Sequence, residues 1–161
     1  PAAAAAAAAP GIIAGAGRRN PMVRSGLILA GANAARPAAG GEDGLLTAEE
    51  VAGLDLRGVE LVVLSACDTG LGEVRGGEGV MGLQRGFALA GARALVLSLW
   101  RVPDVATRRL MDGFYRRALG KDGSDAVQAL RAAKLGAIHR LRRERGWADP
   151  RAWAGFTITG R

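Results

Sequence analysis

The chain has 161 residues, 49% of them hydrophobic and 23% charged, with a formal net charge of +7 and a single cysteine. That length suits one domain with a real core, and one cysteine excludes an internal disulfide or a cysteine-built zinc cage, which points to a reducing compartment. No stretch approaches the roughly 18 apolar residues of a membrane span and none has the layout of a signal peptide, so a cytoplasmic chain without membrane contact is expected. The positive charge raises nucleic acid as a partner, but arginines are spread from Arg18 to Arg161 and only residues 131–145 form a dense cluster, which argues against it.

Residues 1–19 open on the alanine run 2–9, set between prolines and followed by a Gly/Ala-rich stretch. They read as a low-complexity lead-in, because so short an alanine run does not sustain an isolated helix. From Asn20 the composition changes, and residues 20–161 are expected to be the folded domain. Gly26-Leu27-Ile28-Leu29-Ala30 reads as a short buried strand, followed by a polar, Gly-rich loop over 34–44. Thr47-Ala48-Glu49-Glu50 has the spacing of a capping box: the Thr hydroxyl and the Glu carboxylate each satisfy a backbone N–H that lacks an intrahelical partner. A short helix to about Ala52 is expected after it.

Leu61-Val62-Val63-Leu64-Ser65-Ala66 is the strongest strand signal, apolar without alternation, as in a central parallel strand covered on both faces. Gly70, Gly72, Gly76 and Gly77 then mark a loop. A helix from Glu78 would bury Val80, Leu83, Phe87 and Ala90, with Gly91 able to close it. Residues 94–99 form a second buried strand, and a helix starts near Pro103-Asp104 with Ala106, Leu110, Phe114 and Ala118 inward. Ser124 or Asp125 can cap a third helix running to about Arg145, with Leu130, Ala133, Ala137 and Leu141 on its inner side. Residues 154–159 form a last strand.

Strands alternating with helices over long crossovers predict an α/β sandwich on a mostly parallel sheet. Ligands of such sheets bind beyond the carboxyl ends of the strands. That rule brings Ser65-Ala66-Cys67-Asp68 and Leu99-Trp100-Arg101 to one rim, with Cys67 at the tip of what is expected to be the most central strand. A thiol reacts as thiolate, which needs a nearby base or a positive potential. A free cysteine at a strand end is equally compatible with a small buried hydrophobe.

The segment from Leu61 to Gly72, with Ser65-Ala66-Cys67-Asp68-Thr69-Gly70 inside it, resembles the CHAT domain, and Gly77-Glu78-Gly79, Gly91-Ala92-Arg93, Ser98-Leu99-Trp100 and Val102-Pro103-Asp104 follow in the family's order. Upstream, Asn20-Pro21-Met22-Val23-Arg24-Ser25-Gly26 fits the same pattern. CHAT domains belong to the caspase-like group of cysteine peptidases, with separases, metacaspases and gingipains. The resemblance therefore implies a caspase-like three-layer α/β/α sandwich with a mostly parallel central sheet, a Cys/His dyad, a protein or peptide substrate, and no metal or cofactor. It also implies helical repeats of the tetratricopeptide kind before the domain in the same polypeptide.

Cys67 stands in the family's nucleophile position. Cys67, through its backbone N–H, and Gly70 are the candidates at the oxyanion loop. Relatives that cleave after Arg or Lys use acidic groups in the primary pocket, for which Asp68 and Asp104 are the candidates here, with Trp100 as a groove wall. Asp104 is equally readable as a plain helix cap, and Trp100 as a core anchor. The family's histidine, in a His-Gly pair before the Asn-Pro segment, is absent. The chain's one histidine, His139, falls among the arginines of the third helix, as a solvated residue rather than a base.

Three explanations fit the missing histidine: it precedes residue 1, the alanine run stands in its place, or the dyad is lost. The otherwise intact active edge favours the first two. The expected activity is thus a cysteine endopeptidase, inactive in these 161 residues alone. The alternatives are a non-catalytic interaction module and an Arg-rich nucleic-acid binder acting through residues 131–145.

Overall fold

A computed structural model describes residues 21–23, 25–30, 32, 43–64, 78–100, 102–120 and 125–160. Its elements form an α/β fold with mixed-topology sheets, divided into two compact units: residues 1–60 with 68–93, and residues 61–67 with 94–161. Among the described residues no helix is long and apolar enough to cross a membrane.

In the first unit, β1 (Gly26–Ile28) and β2 (Leu45–Thr47) pair antiparallel, with Leu27 opposite Leu46. This corrects the expectation for residues 26–30: the strand is shorter and half-buried, Leu29 and Ala30 are exposed, and its partner is a strand with no signal of its own. Three residues are too few for a period, so β2 forms because of what lies opposite it. Gly26 permits that approach, since a Cβ there would sit 2.6 Å from the Leu46 carbonyl oxygen.

Helix α1 (Ala48–Ala52) starts as the capping box requires. The Glu50 N–H donates to Thr47 Oγ1 at 3.2 Å, and the Thr47 N–H donates to Glu50 Oε2 at 2.7 Å. Ala48 and Val51 are fully buried. Helix α2 (Glu78–Ala90) packs on α1. The contact is close because Gly86 carries no side chain: a Cβ there would lie 2.5 Å from the Ala48 carbonyl oxygen. Leu83, Phe87 and Ala90 are buried as expected, and α2 closes at Gly91, whose φ of +97° suits glycine.

The second unit holds a three-stranded sheet in the order β3 (Val62–Leu64), β4 (Ala94–Ser98), β5 (Phe156–Gly160). Strands β3 and β4 are parallel, with Leu64 opposite Leu97. Two expectations are corrected here. The middle of the described sheet is β4, all five of whose residues are buried, whereas β3 is half-buried at one side. Strand β5 runs antiparallel to β4, Ser98 facing Phe156, so the described pairings are not mostly parallel. The reason is the pair of helices between them. One crossover helix returns a chain to the start of the preceding strand, but two in succession bring it back to the end it left, and the next strand must run in reverse.

Those helices are α3 (Asp104–Ala118) and α4 (Ala126–Arg145). Asp125 caps α4, its side chain accepting from the Val127 N–H at 3.4 Å, and Gly146 ends it at φ +78°. Ala129, Ala133 and Ala137 recur every fourth residue on α4 and are buried against α3, with Gly113 facing Ala133. This small-residue stripe lets the helices approach while Phe114, fully buried, and Leu110 fill the core beside Val96 and Phe156.

Candidate functional site

The register of β3 with β4 brings the carboxyl ends of both strands to one edge. The amino end of β5 arrives at the same edge, where the Leu99 N–H donates to the Gly155 carbonyl at 2.7 Å. The described part of the rim predicted from sequence therefore exists. It is made of two strand exits and one strand entry.

Past Ser98 the chain leaves β4 in a bend at Leu99 and Trp100, and Val102, 4% exposed, belongs to the core. Trp100 is 37% exposed. Its indole lies against the backbone of Gly155: Nε1 and Cε2 are 3.2 and 3.3 Å from where a Cβ on that residue would be, and Val102 Cγ2 is closer still. Trp100 thus rests on the turn before β5, in keeping with its reading as a core anchor, while staying partly exposed.

Asp104 is the first residue of α3 and is exposed. Its reading as a cap is corrected: Pro103 occupies the cap position, and no side chain caps the helix start. The carboxylate still gains from the positive end of the helix dipole. Val102 is held on the connecting segment by Thr107, whose Oγ1 donates to the Val102 carbonyl at 3.4 Å.

The segment that delivers Gly155 is ordered by Asp149. Its carboxylate accepts from the Arg151 N–H at 3.0 Å and pairs with the Arg151 guanidinium at 3.0 Å. These bonds hold the Asp149 carboxyl below the usual carboxylate range, the side-chain bond to Arg151 contributing most. The resulting 3-10 turn, Pro150–Ala152, passes its last bond from the Ala154 N–H to the Pro150 carbonyl at 2.8 Å, one residue before the rim.

Of the residues expected to act, Trp100 and Asp104 are on this connection; Cys67, Asp68 and Gly70 lie outside the described residues. His139 is exposed on α4, as expected of a solvated residue. No group of three or more His, Cys, Asp or Glu side chains that could hold a metal ion occurs among the described residues. Gly155 and Ser98 were missed as rim residues. Ser98 is polar and 4% exposed at the last position of β4. The available signal for Gly155 was a glycine inside a strand pattern, which often marks a close backbone approach.

A family model for the CHAT domain matches residues 6–161. Among curated proteins, the chain is similar to Tetratricopeptide repeat protein 28 of Mus musculus, 37% identical over 119 residues, and to the protein of the same name of Homo sapiens, 36% identical over 116 residues. In both cases the alignment covers 72% of this chain and 4% of the relative, so the chain corresponds to a small part of those proteins. With the family model matched over nearly the whole sequence, the chain belongs to the CHAT domain family.

Proposed function

We propose that this chain is the C-terminal part of a caspase-like cysteine endopeptidase domain, with residues 1–19 as its lead-in and 20–161 as its body. The finer architecture, a three-layer α/β/α sandwich, belongs to the same proposal. What supports it is the family match across residues 6–161, together with the chain order in which Cys67 comes three positions after Leu64, the last residue of β3.

In this reading the Cys67 thiolate attacks a peptide carbonyl carbon and the oxyanion is held by the Cys67 N–H, in the loop that includes Gly70, together with the N–H of the glycine that follows the missing histidine. The amine leaves with a proton, and water hydrolyses the acyl-enzyme. Asp68 and Asp104 would select Arg or Lys on the substrate through charge-assisted hydrogen bonds, and Trp100 would bound the groove. The proton-transferring histidine has to come from outside these 161 residues, because His139, the only one present, is exposed on α4. The name of the similar mouse and human proteins fits a tetratricopeptide-like region elsewhere in the same polypeptide, and the single thiol fits a reducing, cytoplasmic setting.

A polypeptide extended upstream to include a His-Gly pair is expected to cleave Arg- or Lys-containing peptides and to lose that activity on Cys67→Ala, whereas the 161-residue chain is inactive. Unchanged turnover in the Cys67→Ala variant sinks the mechanism. The absence of a base in this sequence favours a second reading, a non-catalytic interaction module of the same fold; a natural upstream sequence without a His-Gly pair would support it.

A further inference from the structure

Helix α4 presents to solvent a row that neither its packing nor the proposed chemistry uses. Val127, Arg131, Leu135, His139 and Arg143 recur at every fourth position, and all are exposed. Arg142 adjoins the row, eleven positions beyond Arg131 and hence on nearly the same side of the helix. Opposite them Ala129, Ala133 and Ala137 are buried, so this is the outer face of a firmly seated helix.

Among the described residues the charge on this face has no ion-pair partner. The only acidic residue within α4 is Glu144, which falls off the row. Ion pairs among the described residues engage Arg57, Arg93 and Arg151, not Arg131, Arg142 or Arg143. The arginines ending α3 behave differently: Arg116 and Arg117 donate to the Asp112 and Gly113 carbonyls of their own helix at 3.2 and 2.7 Å. The guanidiniums of Arg131, Arg142 and Arg143 thus hold no ion pair among the described residues and can meet a partner's carboxylates.

The row also has an apolar component. Leu135 is 45% and Val127 39% exposed, two turns apart and interleaved with the cations. Interfaces concentrate their energy in such apolar anchors ringed by polar groups, with arginine favoured. Nucleic acid suits this face less, because a phosphate backbone has nothing apolar for Leu135 and the row carries no Phe, Tyr or Trp to stack a base. From Arg131 to Arg142 the face runs about 16 Å along the axis, the length of some three turns of a partner helix.

We infer that the outer face of α4 docks an acidic amphipathic helix of a protein partner, its apolar stripe covering Val127 and Leu135 and its carboxylates meeting Arg131, Arg142 and Arg143. This goes beyond the peptidase reading and does not depend on Cys67.

The test uses the whole chain and a fluorescein-labelled helical peptide of roughly 18 residues, about five turns, with a leucine stripe flanked by glutamates. Anisotropy is read against the same peptide with Gln for Glu and against an oligothymidylate. The acidic peptide is expected to bind, its Gln counterpart not. Reversing the charge at Arg131, Arg142 and Arg143 to Glu weakens binding by about tenfold or more, and added salt weakens it progressively. Leu135→Ser weakens it about threefold or more. Retained far-UV circular dichroism of each surface variant separates docking from folding. Failure of the acidic peptide to bind at about 1 mM, or binding indifferent to the triple reversal, overturns the inference. So does tighter binding of the oligothymidylate with no effect of Leu135→Ser, which assigns the face to nucleic acid.

Discussion

Replacing Gly155 by alanine adds one methyl group where no volume is open. The new Cβ would overlap Val102 Cγ2 and press on the Trp100 indole, whose Nε1 and Cε2 lie 3.2 and 3.3 Å away. Gly155 is not among the glycines with positive φ, so the penalty is steric rather than conformational. Overpacking of this kind costs about 1–3 kcal/mol, partly offset by about 0.4–1 kcal/mol from the reduced freedom of the unfolded chain. A net loss of about 1.3 kcal/mol, the difference between the middles of these two ranges, is expected in urea unfolding. Val102, 4% exposed, is the neighbour that has to yield. Val102→Ala alone removes about two methylene equivalents of burial, near 1.6 kcal/mol. In the double variant the added methyl enters the space just vacated, so the combined loss should fall short of the sum by about 1 kcal/mol. Tryptophan fluorescence followed alongside circular dichroism reports whether Trp100 is displaced. A Gly155→Ala variant as stable as the parent, or strict additivity in the cycle, would refute the packing of Trp100 and Val102 on the Gly155 backbone.

Thr47→Ala removes the hydroxyl that accepts from the Glu50 N–H and should cost about 1 kcal/mol in urea unfolding, with Thr47→Ser restoring most of it; equal stability of all three would show the cap to be inert. The Asp149 carboxyl should titrate below the ordinary aspartate value because Arg151 bonds its charged form. Its stabilising contribution is present above the unfolded-state pKa and is lost as pH falls through the lower folded value, so Asp149→Asn should flatten the acid limb of the stability profile. Carboxyl titration by NMR checks the direction. Burial pushes the Lys134 ammonium below the usual lysine range, so its charged form weakens the fold at neutral pH and the penalty fades as pH rises through the folded pKa toward the unfolded one. Lys134→Met is therefore expected to match or exceed the parent in melting temperature near pH 7, with the difference shrinking in alkali; a Met variant that melts lower near pH 7 contradicts this.

Much of the helical architecture was legible residue by residue. The Thr47 to Glu50 box, the inner faces of α2, α3 and α4, and the Asp125 cap rest on contacts within a few positions of each other. The pairing partners of strands were not. Leu45–Thr47 became a strand because Gly26–Ile28 lies opposite, and no local pattern announces a partner nearly twenty positions away. Likewise, Asp104 resembled a cap by residue type, but the backbone turn places Pro103 there instead.

For the site, the proposed nucleophile position rests on the sequence by itself: the Ser-Ala-Cys-x-Thr-Gly pattern around Cys67, the apolar strand before it and the absence of an upstream histidine are all properties of chain order. It also indicated that strand exits would meet at a rim, since parallel pairing follows from the single crossover helix between β3 and β4. Only the tertiary structure decided that β4 holds the middle of the described sheet, that β5 enters the rim in reverse, and that Trp100 rests on Gly155. Those outcomes depend on two helices packing through an alanine stripe and on a tryptophan meeting a glycine more than fifty residues away. Contacts of that range arise when the hydrophobic faces are buried together, and neither partner carries a local signal of the other.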